Sequence, residues 1–368
     1  MIPISRPSLG QEEERAVLDV MRSGQLAQGE RVRRFEEAFA RATGAGAAVA
    51  TSSGSSALYL ALLAHHIGPG DEVITSPLTF VATANAIVQA GATPVFADVD
   101  DSLNLSLEAA TRLITPRTKC IITVHLHGNP CDLVSLTQIA GRHGLIVIQD
   151  ACQAVGATVA GRPLGSYGTA VYSFYATKNL TTGEGGMVTT NDSRVAELCA
   201  SLRHQGYAGQ PYVHDRVGFN FRMTEIQAAI GLVQLKGLAC ITERRRRIAS
   251  YYDEVIPTGR FKRPRTVPRA GHVYHQYTLR ESASADTSPA AVRDRDELRR
   301  SLSEAGIATG VYYPVPIHRQ PAYRAYDSAR CPEAERASAD MFSIPVHHSL
   351  SDAEIETVGA EVRRLCEA

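Results

Sequence analysis

The sequence has no net charge, because 38 lysines and arginines balance 38 aspartates and glutamates over 368 residues. Without an excess of positive charge, no long-range field attracts nucleic acid or an anionic membrane surface. The one dense basic run, residues 243–247, lies in a stretch with a helical pattern, and we interpret it as a solvated or subunit-contact face. We therefore expect neither a nucleic acid nor a membrane as partner.

The sequence also lacks clustered cysteines and long apolar segments. Its seven cysteines are scattered, and none stands in a C-x-x-C pair, which argues against a disulfide framework or a thiolate zinc site. Residues 1–7 show no signal-peptide pattern, and no apolar run is long enough to span a bilayer. We expect reduced thiols and a soluble cytoplasmic protein.

Strand and helix patterns alternate through the first half of the chain. Such alternation predicts an α/β fold with a mostly parallel sheet that is covered by helices on both faces. In sheets of this kind, ligands bind at the carboxyl ends of the strands. The predicted strands are 47–50, 72–74, 93–97, 120–124 and 145–148, and the predicted helices are 30–42, 55–64, 81–90 and 133–143.

The composition and the order of strand and helix patterns change after about residue 241. Residues 257–271 are rich in Pro, Arg and Gly, and residues 281–289 have the composition of a surface loop. We predict a large domain over residues 1–240 and a smaller α+β domain over residues 241–368. The smaller domain has strand patterns at 273–279 and 310–313 and helical patterns at 294–305 and 352–365.

One lysine, Lys178, lies between a predicted strand over residues 170–174 and a glycine-rich stretch over residues 183–186. Lysines are strongly hydrated and are usually exposed, so this setting makes Lys178 a candidate for an amine held inside a site. A lysine amine can form a Schiff base with an aldehyde, which is the covalent strategy of pyridoxal enzymes. A surface lysine in a loop would explain this segment equally well.

Asp150 directly follows the strand pattern at 145–148. A carboxylate at the end of a strand can pair with a protonated pyridine nitrogen, and the pyridinium makes the cofactor an electron sink. Gln153, about one turn further on, can donate to the phenolic oxygen of the ring. Taken alone, Asp150 is also explained as a helix N-cap.

Hydroxyls and a glycine join the first strand to the helix over residues 55–64. Gly54 permits a tight turn, and Ser55 and Ser56 place hydroxyls and backbone N–H groups at a helix N-terminus, which suits a phosphate. Ser173, shortly before the lysine, adds a hydroxyl. Phe80, after another strand, can stack on a pyridine ring. The alternatives are a helix cap that binds nothing and a phenylalanine in the core.

Phosphate cradle, aromatic ring, aspartate and lysine follow one another along the chain, each just past a strand. With this order the chain resembles the DegT/DnrJ/EryC1/StrS family of sugar aminotransferases. The resemblance runs from about Pro7 to the C-terminus. Its most specific segments are GPGDEVI (68–74), ATPVF (92–96), SFYATKNL (173–180) and GFNFRMTEIQAA (218–229).

The resemblance implies a fold type I transferase that binds pyridoxal 5′-phosphate and uses it for amino transfer. The implied roles are a Schiff base at Lys178, Asp150 on the ring nitrogen, Gln153 on the ring oxygen, Phe80 stacked on the ring, and Ser55, Ser56 and Ser173 on the phosphate. Asn220 would reach the phosphate from a neighbouring subunit, which implies a homodimer with a shared active site. Two departures are Ser56, where relatives often have an acidic residue, and Gln149, where they often have Glu.

The resemblance also implies the reaction, in which an amino acid such as L-glutamate donates its amino group to a keto sugar, often nucleotide-linked. Lys178 would move the proton, which requires an amine that is neutral at the working pH. Related dehydratases have His at the lysine position, so Lys178 argues against that branch. Stretches similar to residues 310–318 line the substrate side in the family, so Tyr313 and His318 are candidates for substrate contacts or for packing.

Other interpretations remain. A cyclitol ketone of the scyllo-inosose type is an alternative acceptor, and a non-catalytic sensor that binds the cofactor is another. A nicotinamide-binding protein is disfavoured because Gly44 and Gly46 precede their strand and no third glycine completes the motif. His125 and His127 are spaced as on one face of a strand, but no third residue has metal-ligand spacing, so we predict no metal.

Overall fold

The structure is a computed structural model that describes residues 1–207, 209, 212–281, 289–326 and 329–367. The predicted loop over residues 281–289 lies almost entirely outside the described residues. The strands in chain order are β1 Ala47–Thr51, β2 Glu72–Thr75, β3 Thr93–Phe96, β4 Thr118–Val124, β5 Ile146–Asp150, β6 Thr158–Val159, β7 Arg162–Pro163, β8 Thr169–Ser173, β9 Gly186–Thr190, β10 Phe261–Lys262, β11 Ala270–Gly271, β12 Tyr277–Glu281 and β13 Met341–Ile344.

The α-helices of the described residues cover both faces of the central sheet and the outside of the smaller part of the chain. None of them is both long enough and apolar enough to cross a membrane. The helices in chain order are α1 Gln11–Ser23, α2 Glu30–Thr43, α3 Gly54–Ala64, α4 Ala82–Gln89, α5 Leu107–Arg112, α6 Leu133–His143, α7 Ser193–Arg203, α8 Glu225–Val255, α9 Pro289–Glu304, α10 Pro332–Asp340 and α11 Asp352–Glu367.

Seven of the described strands form one sheet in the order β1-β9-β8-β5-β4-β2-β3. The pairs β2–β3, β2–β4, β4–β5 and β5–β8 are parallel, and β9 alone runs against both of its neighbours. The prediction of a mostly parallel sheet flanked by helices is confirmed. The carboxyl ends of β5 and β8 consequently lie side by side at one edge of the sheet.

The two faces of this sheet bury two separate apolar cores. On β4, Ile121 packs into the core that contains Phe35 of α2, whereas Cys120 and Ile122 pack into the core that contains Leu58 of α3. Each of these side chains is shielded almost completely from solvent. Such burial stabilises the fold by about 0.8 kcal/mol for each buried methylene. Burial on both faces explains why β4 reads as a continuous apolar run instead of an alternating one.

The predicted domain boundary between residues 240 and 241 falls inside α8. The first part of this helix packs against the large domain through Leu232 and Leu235, and its second part supports the core of the small domain through Ile248 and Tyr252. The predicted division thus falls where one continuous helix changes its packing partners, and "small domain" below denotes the described residues from 241 onward. At the N-terminus, Ile2 forms a bridge with Ile307 of the smaller part.

The small domain contains a three-stranded antiparallel sheet, β10-β12-β13, among the described residues. The predicted strand over residues 310–313 is wrong, because only Gly310 forms a bridge, to Ser343 of β13. The residues after Gly310 leave the sheet and turn towards the large domain. The predicted strand over residues 273–279 begins later, at Tyr277.

Several histidines are buried as neutral rings in this fold. Burial lowers the pKa of His125, His127, His347 and His348 to about 4 and that of His272 to about 3, from an ordinary value near 6.5. Between pH 6.5 and 4 the unfolded chain therefore takes up protons that the folded chain does not.

We expect the free energy of unfolding to fall as the pH drops from 6.5 to 4, by at most roughly 3 kcal/mol for each of His125 and His127. Urea denaturation at a series of pH values measures this slope. Carboxylates also contribute in this range, so the His125→Asn variant is the control. The pH dependence of its free energy of unfolding should correspond to the uptake of up to one proton fewer on unfolding. Equal slopes for the two proteins would contradict the assignment.

Candidate active site

The candidate residues meet in a cavity of about 500 Å³ at the carboxyl edge of the central sheet. Asp150 ends β5, Ser173 ends β8, and these strands are hydrogen-bonded neighbours. The N-terminus of α3 opens onto the same space, and a small-domain segment closes one side. The sequence-predicted residues that line the cavity are Ser55, Phe80, Asp150, Gln153, Ser173, Lys178 and Tyr313.

Lys178 presents its side chain to this cavity from the turn that follows β8. The turn is closed by a hydrogen bond from the Lys178 N–H to the Tyr175 carbonyl, at 2.9 Å. Burial lowers the pKa of the Lys178 amine, while the nearby carboxylate of Asp150 acts in the opposite direction. Among the described residues, no carboxylate forms an ion pair with this amine. An amine with a lowered pKa can act both as a nucleophile and as a proton acceptor.

Asp150 is buried, and each of its two carboxyl oxygens accepts a hydrogen bond. The Thr83 hydroxyl donates to Oδ2 at 2.7 Å, and the backbone N–H of Cys152 donates to Oδ1 at 3.2 Å. No helix begins after Asp150, so the N-cap interpretation does not apply. Thr83 was missed by sequence reasoning, because nothing in the sequence connects a threonine on α4 with an aspartate 67 positions later.

Gln153 is oriented by contacts on both sides of its amide. Its Oε1 accepts the backbone N–H of His127 at 2.7 Å, and its Nε2 donates to the hydroxyl of Tyr313 at 3.3 Å. The oxygen is thus occupied on the protein side, and the NH2 group is the part that faces the cavity. This orientation suits a donor to a ring oxygen, which is the role that the family resemblance implies.

The prediction for Ser56 needs correction, because its side chain serves the cap of α3 and does not line the cavity. The Ser53 hydroxyl accepts from the Ser56 N–H at 3.1 Å, and the Ser56 hydroxyl accepts from the Ser53 N–H at 3.0 Å. This reciprocal capping box consumes the Ser56 hydroxyl inside the protein. Ser53 and Ser55 line the cavity instead. The Thr51–Ser56 run was the signal that could have suggested Ser53.

Gly54 is required by a close approach of two backbone segments. A Cβ at this position would lie 2.8 Å from the Cβ of Ser173 and 3.1 Å from the Sγ of Cys152. Only a glycine therefore allows the N-terminus of α3 to lie directly above the ends of β5 and β8. The free N–H groups of the helix and the hydroxyls of Ser55 and Ser173 converge there, as an anion site needs.

His318 and Asn220 lie outside this cavity. His318 is fully buried, its Nε2 lies 2.9 Å from Oε1 of Glu335, and its ring packs near Phe96. Its position indicates a packing role, so the substrate contact suggested for it is not supported. Asn220 is exposed on the surface and forms a bridge with His204, so within one chain it does not reach the cavity.

Gln149 and the two suggested metal ligands are all engaged in hydrogen bonds within the protein. The Nε2 of His125 lies 3.2 Å from Gln149 Oε1, and Gln149 Nε2 donates to the Leu164 carbonyl. The strand ends before His125, so His125 and His127 do not share a face. The described residues contain no group of three or more His, Cys, Asp or Glu that could hold a metal ion.

Several further residues line the cavity although sequence reasoning did not propose them. Tyr312 enters from the small domain beside the predicted Tyr313, whose ring centroid lies 6.0 Å from that of Phe80. His275 and Gln276 come from the segment before β12, and Glu184 from the glycine-rich stretch. The positions of Tyr312, His275 and Gln276 depend on how the small domain docks, which no local sequence pattern reports.

Comparison with known proteins agrees with this geometry. A family model described as the DegT/DnrJ/EryC1/StrS aminotransferase family matches residues 7–363. The chain belongs to this family. It is an aminotransferase that depends on pyridoxal 5′-phosphate, of the kind that acts in nucleotide-sugar or polysaccharide biosynthesis.

Three relatives illustrate the similarity. The chain is 40% identical to a "Pleiotropic regulatory protein" of Geobacillus stearothermophilus (94% of this chain, 91% of the relative) and 40% identical to GDP-perosamine synthase of Caulobacter vibrioides (97% and 96%). A solved structure of S. venezuelae DesV in complex with a ketimine intermediate is 36% identical, with a TM-score of 0.91 over 97% of this chain and 95% of that one.

The residues of the cavity fit the cofactor. Lys178 provides an amine without an ion-pair partner among the described residues, and Asp150 provides a buried carboxylate for the ring nitrogen. The N-terminus of α3 with Ser55 and Ser173 offers the phosphate site, and the Phe80 ring borders the space between them. Each part of the cofactor thus has a chemically matched side chain.

The close approach at Gly54 gives a direct test of the phosphate site. In Gly54→Ala, the added methyl group must push α3 away from Ser173, so we expect cofactor affinity to fall at least about tenfold, with about 1–3 kcal/mol lost from the free energy of unfolding. Gly141→Ala is the matched control, because a Cβ there meets nothing within 4 Å. Cofactor titration and thermal unfolding measure both effects, and wild-type affinity in Gly54→Ala would refute this account of the cradle.

Proposed function

We propose that this enzyme transfers the amino group of L-glutamate to the ketone of a nucleotide-linked sugar, with Lys178 as the catalytic residue that moves the proton. The observation that supports this proposal most is the pairing of an amine with a lowered pKa and a firmly held carboxylate in one cavity. Lys178 and Asp150 come from the ends of adjacent strands, and both line the space in which the cofactor fits.

Lys178 has the properties of a proton shuttle. Its amine is desolvated and has no ion-pair partner among the described residues, and burial lowers its pKa, so the neutral form is more accessible than it is for an exposed lysine. When bound, pyridoxal phosphate supplies an aldehyde for the amine and a ring that withdraws electrons from the donor's α-carbon. Asp150, held by the Thr83 hydroxyl and the Cys152 N–H, would be the carboxyl group that pairs with a protonated ring nitrogen.

The open side of the cavity suits a sugar. Tyr312, Tyr313 and Phe80 provide aromatic surface, and Glu184 and Gln276 add polar groups that can bind hydroxyls. The relative from Caulobacter vibrioides is named GDP-perosamine synthase, and this name supports an acceptor that is linked to a nucleotide.

A homodimer with a shared active site is part of the proposal. Asn220 is exposed, and the segment that precedes it exposes Tyr212 and Val217 at 86% and 87%. Apolar side chains in such an exposed segment are suited to contact with another subunit. In a symmetric dimer the contact is reciprocal, so each chain would contribute its Asn220 to the phosphate site of the other.

The amine of Lys178 is tested by spectroscopy. Wild-type holoenzyme should show a visible absorption band that disappears on adding L-glutamate and returns with a suitable keto sugar. Lys178→Ala should bind the cofactor only noncovalently and lose at least about 10³-fold in turnover, because it lacks the proton carrier. Absorption spectra and single-turnover rates provide the measurement.

Lys236→Ala is the control for this test, since Lys236 lies on the exposed face of α8 and should behave like wild type. Normal turnover in Lys178→Ala would rule out its catalytic role. Return of the band with a keto-inositol, and not with nucleotide-linked keto sugars, would favour a cyclitol acceptor.

The shared site is tested by mixing variants. Lys178→Ala and Asn220→Ala homodimers should each be impaired, whereas a mixed dimer contains one site with both residues intact. After subunit exchange we expect about a quarter of wild-type activity, because half of the dimers are mixed and half of their sites are complete. Light scattering gives the oligomeric state. Complementation that is absent although mixed dimers form would overturn the role of Asn220.

A further inference from the structure

His127 occupies a position in the fold that the proposed reaction does not explain. It is 3% exposed, and each of its four polar groups contacts a different residue. The backbone N–H donates to Gln153 Oε1 at 2.7 Å, and the backbone carbonyl accepts the Gln276 N–H at 3.2 Å. In the ring, Nδ1 lies 3.1 Å from the Thr278 hydroxyl and Nε2 lies 3.1 Å from the Tyr312 carbonyl.

These partners fix the tautomer of the ring. A carbonyl oxygen can only accept, so Nε2 carries the hydrogen that is directed at Tyr312. Nδ1 must then accept from the hydroxyl of Thr278, which is itself 2.9 Å from the Ser343 hydroxyl. Both ring nitrogens are therefore committed to the small domain, and the ring is held in one orientation.

The backbone at this point is wedged between the two domains. His127 has a left-handed conformation with φ of 59°, which His tolerates better than most residues, and Gly128 follows with φ of 86°. A Cβ on Gly128 would lie within 3 Å of Val273 Cγ2, Gln153 O and His275 N. The segment thus fills the gap between the turn that carries Gln153 and the segment that leads into β12.

These contacts connect two walls of the active-site cavity. Gln153 belongs to the large domain, and Tyr312 and Tyr313 enter from the small domain without forming a strand there. Among the hydrogen bonds of the described residues, the ring of His127 provides a direct link from the large domain to the Tyr312 carbonyl. Without it, the nearest hydrogen bonds from this segment to the large domain would be the 3.3 Å contact of Tyr313 with Gln153 and, four residues later, the bond from the Ile317 N–H to the Pro77 carbonyl.

We propose that His127 is a positioning residue whose ring holds the Tyr312–Tyr313 wall against the cofactor-binding residues and thereby sets substrate affinity. It touches no reacting atom. The expected change in substrate affinity rests on the proposed function. The expected loosening of the Tyr312–Tyr313 wall does not depend on it. The wall should loosen whenever the ring is removed, whatever the substrate is.

The decisive variant is His127→Asn. Asparagine tolerates the left-handed backbone and retains the N–H to Gln153, so the cofactor should bind with an unchanged absorption band. Loss of the bond to Tyr312 should raise the apparent Kd or KM for L-glutamate in the half-reaction at least about tenfold, while the limiting rate stays within about threefold. Amide hydrogen exchange in the segment 310–316 of the holoenzyme should become at least about tenfold faster.

His125→Asn is the matched control, because His125 is equally buried but contacts Gln149 and the Cys131 N–H instead of the small domain. It should leave both the exchange of residues 310–316 and the affinity for L-glutamate unchanged. If the two variants change the exchange of residues 310–316 and the affinity for L-glutamate equally, His127 acts only through general packing and the proposal is overturned.

A second pair of variants serves if His127→Asn does not fold. Thr278→Val removes the hydroxyl that fixes Nδ1 and should reproduce the loosening in part, whereas Thr278→Ser keeps the hydroxyl and should resemble wild type. Faster exchange with no response of wild type to L-glutamate would support the positioning role and reject the proposed donor. If wild type responds normally to L-glutamate and amide exchange is unchanged in His127→Asn and Thr278→Val, the proposed donor is supported and the positioning role is overturned.

Discussion

The site depends on an amine that is taken out of water beside a carboxylate without being ion-paired to it. A cationic Lys178 in the cavity would lose hydration with little compensation, so burial favours the neutral form. Asp150 accepts hydrogen bonds at both of its oxygens, from the Thr83 hydroxyl and from the Cys152 N–H. The cavity therefore combines a desolvated amine with a hydrogen-bonded carboxyl group, and these two groups suit the aldehyde and the ring nitrogen of one cofactor.

The sheet sets the spacing of these two groups. Asp150, the last residue of β5, pairs with Val171 in the parallel ladder of β5 and β8. The carboxyl ends of the two strands therefore lie within a few residues of each other. Parallel strands have their carboxyl ends at the same edge of the sheet. A residue that directly follows such a strand in the sequence therefore lies near that edge, whatever the packing elsewhere in the chain. This is why the sequence alone could predict that Lys178, Asp150, Ser55 and Ser173 lie together at one edge of the sheet.

Features that depend on packing between distant segments could not be predicted. The hydroxyl of Thr83 reaches Asp150 from a helix on one face of the sheet, and α8 continues through the predicted boundary at residue 240 because its two halves bury different faces. Residues 310–313 have strand-like composition, yet Tyr313 leaves the sheet to border the cavity. Each of these features depends on a tertiary contact, which carries no periodic signal. Ser56 is a different case, because the capping box that it forms with Ser53 engages its hydroxyl inside the protein.

His125 and His127 show how little separates a structural residue from one that affects the site. Both are buried, neutral and hydrogen-bonded at both ring nitrogens, and by spacing they are equivalent. The strand ends between Val124 and His125, and the left-handed backbone at His127 turns its ring from the large domain to the small one. Substrate affinity in a two-domain enzyme depends on how rigidly the second domain presents its side chains. A single backbone angle thus decides which of the two histidines joins the domains at the site.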